Sequence, residues 1–121
     1  MRPVSLSFPR SCRMLRADEY AEVFSFRQAL RGDRFLLHYG KEREEGTARL
    51  GLVIGKKFMR RAAGRNMIKR MVRETFRQMR ELLPARDWAL RLTKALPKPD
   101  RAMRRELAAE ISRLFVKATR A

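Results

Sequence analysis

The sequence has only one cysteine and one histidine, Cys12 and His38. A lone cysteine cannot form an intrachain disulfide, and one Cys with one His gives no metal cluster of familiar spacing. A reducing interior is therefore the default compartment, and we expect a cytoplasmic protein. Since no paired carboxylates accompany His38, we interpret it as an ordinary strand residue and Cys12 as incidental. These scarcities predict neither a catalytic residue nor a metal ligand in the chain.

Long apolar runs are missing as well. No stretch of the sequence approaches the roughly 18 residues that span a bilayer. Pro9, Arg10 and Arg13 interrupt the apolar residues near the start, where a signal peptide needs a continuous core. We therefore expect neither a membrane-spanning segment nor a signal peptide. Residues 1–16 are predicted to form a flexible basic arm, and residues 17–119 a single folded domain.

Acidic residues are the third scarcity. The chain has 13 Asp and Glu against 30 Lys and Arg, which gives a formal net charge of +17. Such an excess destabilises a compact chain through self-repulsion and is tolerated where a polyanion neutralises it. Nucleic acid is the leading partner, and an anionic membrane surface is the second. The 45% of hydrophobic residues and the seven Phe indicate a folded chain rather than a disordered basic tail.

Apolar periodicity predicts a small α+β protein. Helices are expected over about residues 18–25, with Asp18 at the start, and then over 62–83 and from residue 100 onward. Strands are expected over 34–40, 48–55 and 87–93, with a short extra strand near 27–31. The strands over 34–40 and 48–55 should form an antiparallel hairpin. This α-β-β(-β)-α-β-α order describes a small two-layer sandwich, with one mostly antiparallel sheet packed with helices.

The most one-sided segment is GKKFMRRAAGRNMIKRMVRETFR, residues 55–77, which holds nine Lys or Arg and a single acid, Glu74. At about 100° per residue, its apolar side chains share one arc of a helix and its basic ones another. The apolar arc should pack on the sheet, while the basic stripe lacks acidic partners at i+4. The predicted nucleic-acid-binding residues are Lys56, Lys57, Arg60 and Arg61 before the helix, and Arg65, Asn66, Lys69, Arg70, Arg73 and Arg77 on it.

Other interpretations of the stripe are weaker. A solvated helix face is the ordinary explanation of a charge run, but such faces mix both signs of charge. A membrane-bound helix would bury its apolar arc in lipid, but so small a domain needs that arc to complete its core, so we expect no membrane partner. A helix in a DNA groove lacks an evident helix-turn-helix partner. The excess of Arg over Lys favours bidentate contact with phosphate and stacking on bases.

At this helix the sequence resembles a known family. KKFMRRAAGRNMIKRMVRETFR is similar to the signature of the bacterial ribonuclease P protein component, which reads K-K, a short spacer with Arg or Ala, then R-N-R, K-R and R-E-x-F-R. One position departs, because Met67 stands where the family usually has the second Arg of R-N-R. The resemblance runs in order from about Leu15 to Lys117 through DEYAEVF, RFLLHY, RLGLVIGKK, ELLPARDWALRLTK and ELAAEISRLFVKA.

The resemblance implies a subunit of the ribonucleoprotein that removes the 5′ leader from precursor tRNA. It implies the catalytic RNA and precursor tRNA as partners, with no obligate protein partner. The RNA would perform hydrolysis with magnesium that it mainly holds itself, and the protein would bind none tightly. The basic stripe would contact the catalytic RNA, and a cleft between the sheet and the first helix would hold the single-stranded leader. The matching leader-binding aromatics are Tyr20, Phe24 and Tyr39.

Several alternatives stay open. Tyr20 and Phe24 are equally compatible with core packing, and the four loop cations can face either RNA surface. A general RNA-binding or ribosomal-type protein would bind RNA without stimulating processing, since basic α+β sandwiches are widely reused. A self-sufficient nuclease would cleave with no RNA present. The type of cognate RNA, the leader-base preference and the oligomeric state are not encoded in recognisable motifs.

Overall fold

The structure is a computed structural model that describes residues 12–14 and 16–121. Within these residues the elements are α1 (Ala17–Ser25), β1 (Gln28–Arg31), β2 (Phe35–Tyr39), β3 (Arg49–Val53), α2 (Ala62–Met79), β4 (Asp87–Leu92) and α3 (Arg101–Ala118), with one 3₁₀ turn at Arg80–Leu82. The predicted α+β class and element order are confirmed, including the short extra strand. No helix in the described residues is long and apolar enough to cross a membrane.

The strands form one sheet in the order β1-β2-β4-β3. β2 pairs antiparallel with both β1 and β4, whereas β3 runs parallel to β4. The predicted hairpin between β2 and β3 is therefore wrong, because β4 lies between them. β4 is buried at every position except Arg91, which is typical of a central strand covered on both faces. α2 provides the crossover that parallel strands such as β3 and β4 require.

One face of the sheet, the core face, packs against α2 and α3. Ile68, Val72 and Phe76 recur every four residues on α2 and are fully buried. The Phe76 ring meets Phe115 of α3 with centroids 6.2 Å apart, so the two helices also pack on each other. Side chains buried this completely contribute roughly 1.5–3 kcal/mol each, before cavity terms are counted. The core face therefore carries most of the hydrophobic stabilisation.

The other face of the sheet, the open face, is only partly covered by α1. Val23 of α1 packs with Met14 and with Ala89 of β4 in a small separate cluster. A side chain at Gly51 would place its Cβ 2.6 Å from the Tyr20 ring, so this close approach requires glycine. Helices thus lie on both faces of the sheet, with two on the core face and the short α1 on the open face.

Part of the predicted N-terminal arm belongs to the folded domain. Cys12 and Met14 are 3% and 4% exposed, and the Met14 backbone N–H donates to the Leu50 carbonyl at 2.9 Å. Arg80 Nη1 donates to Cys12 Sγ at 3.0 Å. Residues 12–14 therefore pack along β3 rather than forming a free arm. Residues 1–11 and residue 15 of the predicted arm lie outside the described residues.

Arg16 is the N-cap of α1, so the predicted start at Asp18 is two residues late. The Arg16 backbone N–H donates to the Glu19 carboxylate at 2.9 Å. Asp18 instead lies in the first turn, where its negative charge faces the positive end of the helix dipole. The acidic residues at this end stabilise α1, but through positions other than the predicted cap.

Candidate nucleic-acid interfaces

The basic surface consists of the ten predicted residues of the β3–α2 loop and α2. Ile68, Val72 and Phe76 point to the core, so the basic residues of the helix lie on the faces left over. Asn66, Arg70 and Arg73 are exposed, while Lys69 is half-buried. The exposed loop members are Lys56, Lys57, Arg60 and Arg61. Seven of the ten predicted residues are therefore exposed, and Arg65, Lys69 and Arg77 are half-buried.

Backbone and side-chain hydrogen bonds hold the loop in one conformation. Arg65 Nη1 donates to the carbonyls of Met59 and Arg60 at 3.0 and 2.8 Å. The Leu96 backbone N–H donates to the Phe58 carbonyl at 2.8 Å, which ties the loop to the β4–α3 connection. Arg65 therefore fixes the loop as well as adding charge to the basic surface, a role that the helical spacing alone did not indicate.

The cations of α2 differ in their partners. Arg77 Nε donates to Glu74 Oε2 at 3.1 Å in an exposed i,i+3 pair, so the stripe is not acid-free at its C-terminal end. No carboxylate in the described part of the chain pairs with Lys69, Arg70 or Arg73. Lys69 and Arg73 are one turn apart and repel each other. The centre of α2, like the four loop cations, thus carries charge that no carboxylate of the described residues neutralises.

One residue beside the basic surface was missed at the sequence level. Lys98, from the β4–α3 connection, joins Lys57, Arg60 and Arg61 around a hollow of about 240 Å³. It is distant in sequence from the stripe, and the hydrogen bond from Leu96 to Phe58 helps to bring the two segments together. Its charge adds to the same side of the molecule as the loop cations.

The second candidate interface is an aromatic hollow on the open face, beside α1. It is shallow and widely open to solvent, has a volume of about 560 Å³, and is lined by Ala17, Tyr20, Ala21, Phe24, Leu52 and Val53. Tyr20 and Phe24 lie one helical turn apart, with ring centroids 6.4 Å apart. The Tyr20 hydroxyl accepts a hydrogen bond from the Leu52 backbone N–H at 3.0 Å, which fixes its ring. The hollow thus presents two oriented aromatic side chains beside exposed sheet.

Tyr39, the third predicted leader-binding aromatic, is not part of this hollow. It packs on Trp88 with ring centroids 5.4 Å apart, on the core face of the sheet. The Arg86 guanidinium lies 5.1 Å from its ring centroid. Because side chains alternate along β2, the neighbouring residue His38 occupies the open face instead. Tyr39 is therefore placed apart from Tyr20 and Phe24, on the other face of the sheet, and its role in leader binding stays a prediction.

His38, which the sequence indicated as an ordinary strand residue, and Arg91, which it did not single out, also lie on the open face. The His38 ring meets Phe24 edge to face, with centroids 4.8 Å apart. Arg91 Nε donates to His38 Nε2 at 3.2 Å. Burial and, less strongly, the Arg91 charge lower the pKa of His38. The alternation along β2 and β4 is the signal that could have placed both residues on this face.

A network of ion pairs anchors α1 to the sheet beside the hollow. Arg49 of β3 bridges Glu19 of α1 and Asp87 of β4, with its Nε 2.7 Å from Asp87 Oδ1. Arg43 Nη1 also lies 2.7 Å from Asp87 Oδ1. Burial would raise the pKa of Asp87, but hydrogen bonds from Arg49 and Arg43 outweigh it and lower that pKa. The hydrogen bond to Asp87, and less strongly the one to Glu19, raises the pKa of Arg49, so the Arg49–Asp87 pair stays charged.

Comparison with known proteins assigns the family. A family model described as Ribonuclease P matches residues 8–119. The ribonuclease P protein component of Ralstonia pickettii (strain 12J) is 41% identical over 118 residues, which cover 94% of this chain and 84% of that protein. The same component of Azoarcus sp. (strain BH72) is 47% identical over 90 residues and 74% of each chain.

Solved structures share the fold. The RNase P protein of Staphylococcus aureus superposes with a TM-score of 0.70 at 18% identity, covering 92% of this chain and 94% of that one. The RNase P protein of Thermotoga maritima gives a TM-score of 0.65 at 24% identity, covering 88% and 96%. The order of helices and strands found here is thus the order of a known protein fold. With the family model and the curated relatives, it follows that this chain belongs to the ribonuclease P protein component family.

Proposed function

We propose that the chain is the protein subunit of ribonuclease P that assists removal of the 5′ leader from precursor tRNA. Membership of the family already implies a subunit of an endoribonuclease and partnership with the ribonuclease P RNA. The proposal adds a division of labour, in which the basic surface binds the catalytic RNA and the aromatic hollow binds the leader. The observation that carries it is the separation of unpaired cations from an aromatic-lined hollow.

The basic surface supports the first half of this proposal through its charge. Lys69, Arg70 and Arg73 have no carboxylate partner in the described residues, so phosphates would relieve their mutual repulsion. Guanidinium groups can also grip a phosphate through two hydrogen bonds. The loop cations begin three residues after Val53, which lines the hollow. A leader leaving the hollow would therefore meet positive charge beside the catalytic RNA.

The aromatic hollow supports the second half through its shape and chemistry. Unpaired bases stack on aromatic side chains with little sequence preference, at about 1–3 kcal/mol per base. Tyr20 and Phe24 are half-buried, so their rings pack on the sheet and still border the hollow. Core packing and leader binding are thus compatible for these two residues. Tyr39 is left out of the proposed leader site because it faces the core side.

We place hydrolysis and magnesium on the RNA. The described residues contain no group of three or more His, Cys, Asp or Glu that could hold a metal ion. The buried carboxylates Asp87 and Glu110 are engaged by arginines or backbone N–H groups, so they do not fit a magnesium site. The protein would act by neutralising RNA phosphates and holding the leader, which strengthens binding of substrate and of RNA-bound magnesium.

Cleavage of a precursor tRNA by the cognate RNA, at low magnesium, tests this function. Adding the protein should raise the cleavage rate, and no gain would exclude the subunit role. RNA binding without any gain would favour a general RNA-binding protein. Cleavage by the protein with all RNA removed would instead require catalytic residues that the present assignment lacks.

A matched pair of α1 variants tests the leader site. Phe24→Ala should weaken binding of leader-bearing tRNA by about tenfold, because one stacking contact is lost, and leave mature tRNA unaffected. Phe26→Ala is the control, since Phe26 is an exposed aromatic at the end of α1 that does not line the hollow. Equal weakening for both ligands by Phe24→Ala would count against a leader site beside α1.

A further inference from the structure

Arg91 lies in the middle of the open face, next to the aromatic hollow. It belongs to the central strand β4, and its cross-strand neighbours are Leu36 of β2 and Val53 of β3. Cross-strand neighbours share a face of the sheet, so these three side chains form one row. Tyr20 and Phe24 contact the adjacent row, at Gly51 and His38. The row of Leu36, Arg91 and Val53 therefore forms the surface of the sheet beside α1.

The guanidinium of Arg91 is only partly used within the protein. Its Nε donates to His38 Nε2, and no other hydrogen bond or ion pair to Arg91 is made by the described residues. Arg49 and Arg34 differ, because each has two carboxylate partners. A half-buried arginine with a free pair of terminal nitrogens presents a fork of donors to whatever occupies the space above it.

His38 sets the orientation of that fork. Because Nε2 accepts from Arg91, the neutral ring carries its proton on Nδ1, and the lowered pKa of His38 keeps the ring neutral at pH 7. The edge-to-face contact with Phe24 restrains the ring in turn. Tying Nε to His38 leaves Nη1 and Nη2 as the edge that can bind a ligand. The His38 ring thus contacts both Phe24 of the aromatic hollow and Arg91 of the adjacent row.

We propose that Arg91 is a specificity-determining residue that binds two adjacent acceptor atoms of one leader nucleotide, with His38 as its positioning residue. This inference rests on the leader site proposed above. The two acceptors are either O6 and N7 of a guanine or two oxygens of a phosphate, since both match a guanidinium fork. Leader bases stacked along Tyr20 and Phe24 would bring such a nucleotide over the row of Leu36, Arg91 and Val53.

The first test compares Arg91→Lys with the wild-type protein in the reconstituted holoenzyme. Lysine keeps the charge and the aliphatic stem but lacks the fork. The preference for leader-bearing over mature tRNA, measured as a ratio of Kd values, should fall about tenfold. Arg105→Lys on the exposed face of α3 is the matched control and should keep the wild-type ratio. An unchanged ratio in Arg91→Lys would overturn the proposal.

Chemically altered leaders identify the acceptor. If the fork binds guanine, one 7-deazaguanosine substitution should weaken binding to the wild-type protein but not to Arg91→Lys. If it binds phosphate, a single methylphosphonate linkage should do so, and leaders of different sequence should bind equally. Loss of binding that is the same for wild-type protein and Arg91→Lys at every altered position would contradict either contact.

His38 variants separate positioning from simple packing. His38→Phe keeps a ring beside Phe24 but removes the acceptor, so the leader preference should fall as in Arg91→Lys. His38→Gln keeps an acceptor oxygen and should restore part of that preference, which a purely structural role does not predict. If the wild-type holoenzyme itself shows no preference for leader-bearing tRNA, the proposed leader site fails first. If it shows one that Arg91 and His38 variants retain, only this inference fails.

Discussion

The arginines beside α1 and those at the centre of α2 have opposite surroundings. Arg49 bridges Glu19 and Asp87 and holds two strands and a helix together. Arg70 and Arg73 are exposed, with no carboxylate partner in the described residues. A paired, partly buried cation contributes to the fold, whereas a row of unpaired ones opposes folding slightly. The same residue type therefore serves structure on one side of the protein and, as we propose, RNA binding on the other.

The largest effect should come from breaking the ion pairs of Asp87 with Arg43 and Arg49. Asp87→Asn removes the charge that Arg43 and Arg49 share, and breaking a buried ion pair from one side typically costs about 3–5 kcal/mol. We expect a loss near the lower end, because both arginines are partly exposed. Urea unfolding followed by circular dichroism measures it. Glu74→Gln breaks the exposed pair with Arg77 and should leave stability unchanged; an equal loss in both variants would refute the contrast.

Acid should weaken the same ion pairs, because it protonates Asp87. The pKa of Asp87 lies below the value of about 3.9 in an unfolded chain, so its stabilising contribution is complete above that value. It is lost as the pH falls through the lower pKa of the folded state. The difference in unfolding free energy between wild-type protein and Asp87→Asn should be constant from pH 7 to about 5 and shrink below about 4. A difference that does not depend on pH would assign the loss to packing instead.

Removing the unpaired cations of α2 should change RNA binding but not folding. Replacing Lys69, Arg70 and Arg73 together by Ala should weaken binding to the cognate RNA and reduce the magnitude of its salt slope by about one unit per lost phosphate contact. Stability should stay the same or rise, because repulsion along α2 is relieved. Replacing Arg101, Arg104 and Arg105 of α3 by Ala is a control of equal charge. Equal salt slopes for the two triple variants would show that the interface is not specific to α2.

The two regions were not equally predictable from sequence. The stripe was found because helical periodicity places residues of one segment on a common face, as Ile68, Val72 and Phe76 confirm on the buried side. The ion-pair network was not found, because it joins α1, β3, β4 and a loop. Its geometry depends on β4 lying between β2 and β3, which local patterns do not specify. Alternation along β2 places His38 and Tyr39 on opposite faces but does not say which face α1 covers, so the sequence did not separate Tyr39 from Tyr20 and Phe24.

Arg65 lies between the two classes and should show a mixed effect. It belongs to the predicted stripe, but it also donates to the Met59 and Arg60 carbonyls. Arg65→Ala should therefore lower the free energy of unfolding by about 1 kcal/mol, which Lys69→Ala should not. Arg65→Ala should also weaken RNA binding by more than the change in its salt slope accounts for, because loss of loop order weakens binding without removing phosphate contacts one for one. A stability equal to wild type would place Arg65 with the purely unpaired cations.

The smallest effect is expected at the boundary of the α2 faces, at Met67. This side chain is half-buried and packs against the core, so it lies beside the stripe and not on it. In Met67→Arg the aliphatic stem can keep most of that packing while the new charge reaches solvent. RNA affinity should change less than about threefold, whereas Asn66→Arg, at an exposed position next to it, should steepen the salt slope by about one unit. A gain for Met67→Arg larger than that for Asn66→Arg would mean that the catalytic RNA approaches α2 from the core-facing edge, and Lys69 and Arg73 would then no longer mark the centre of the interface.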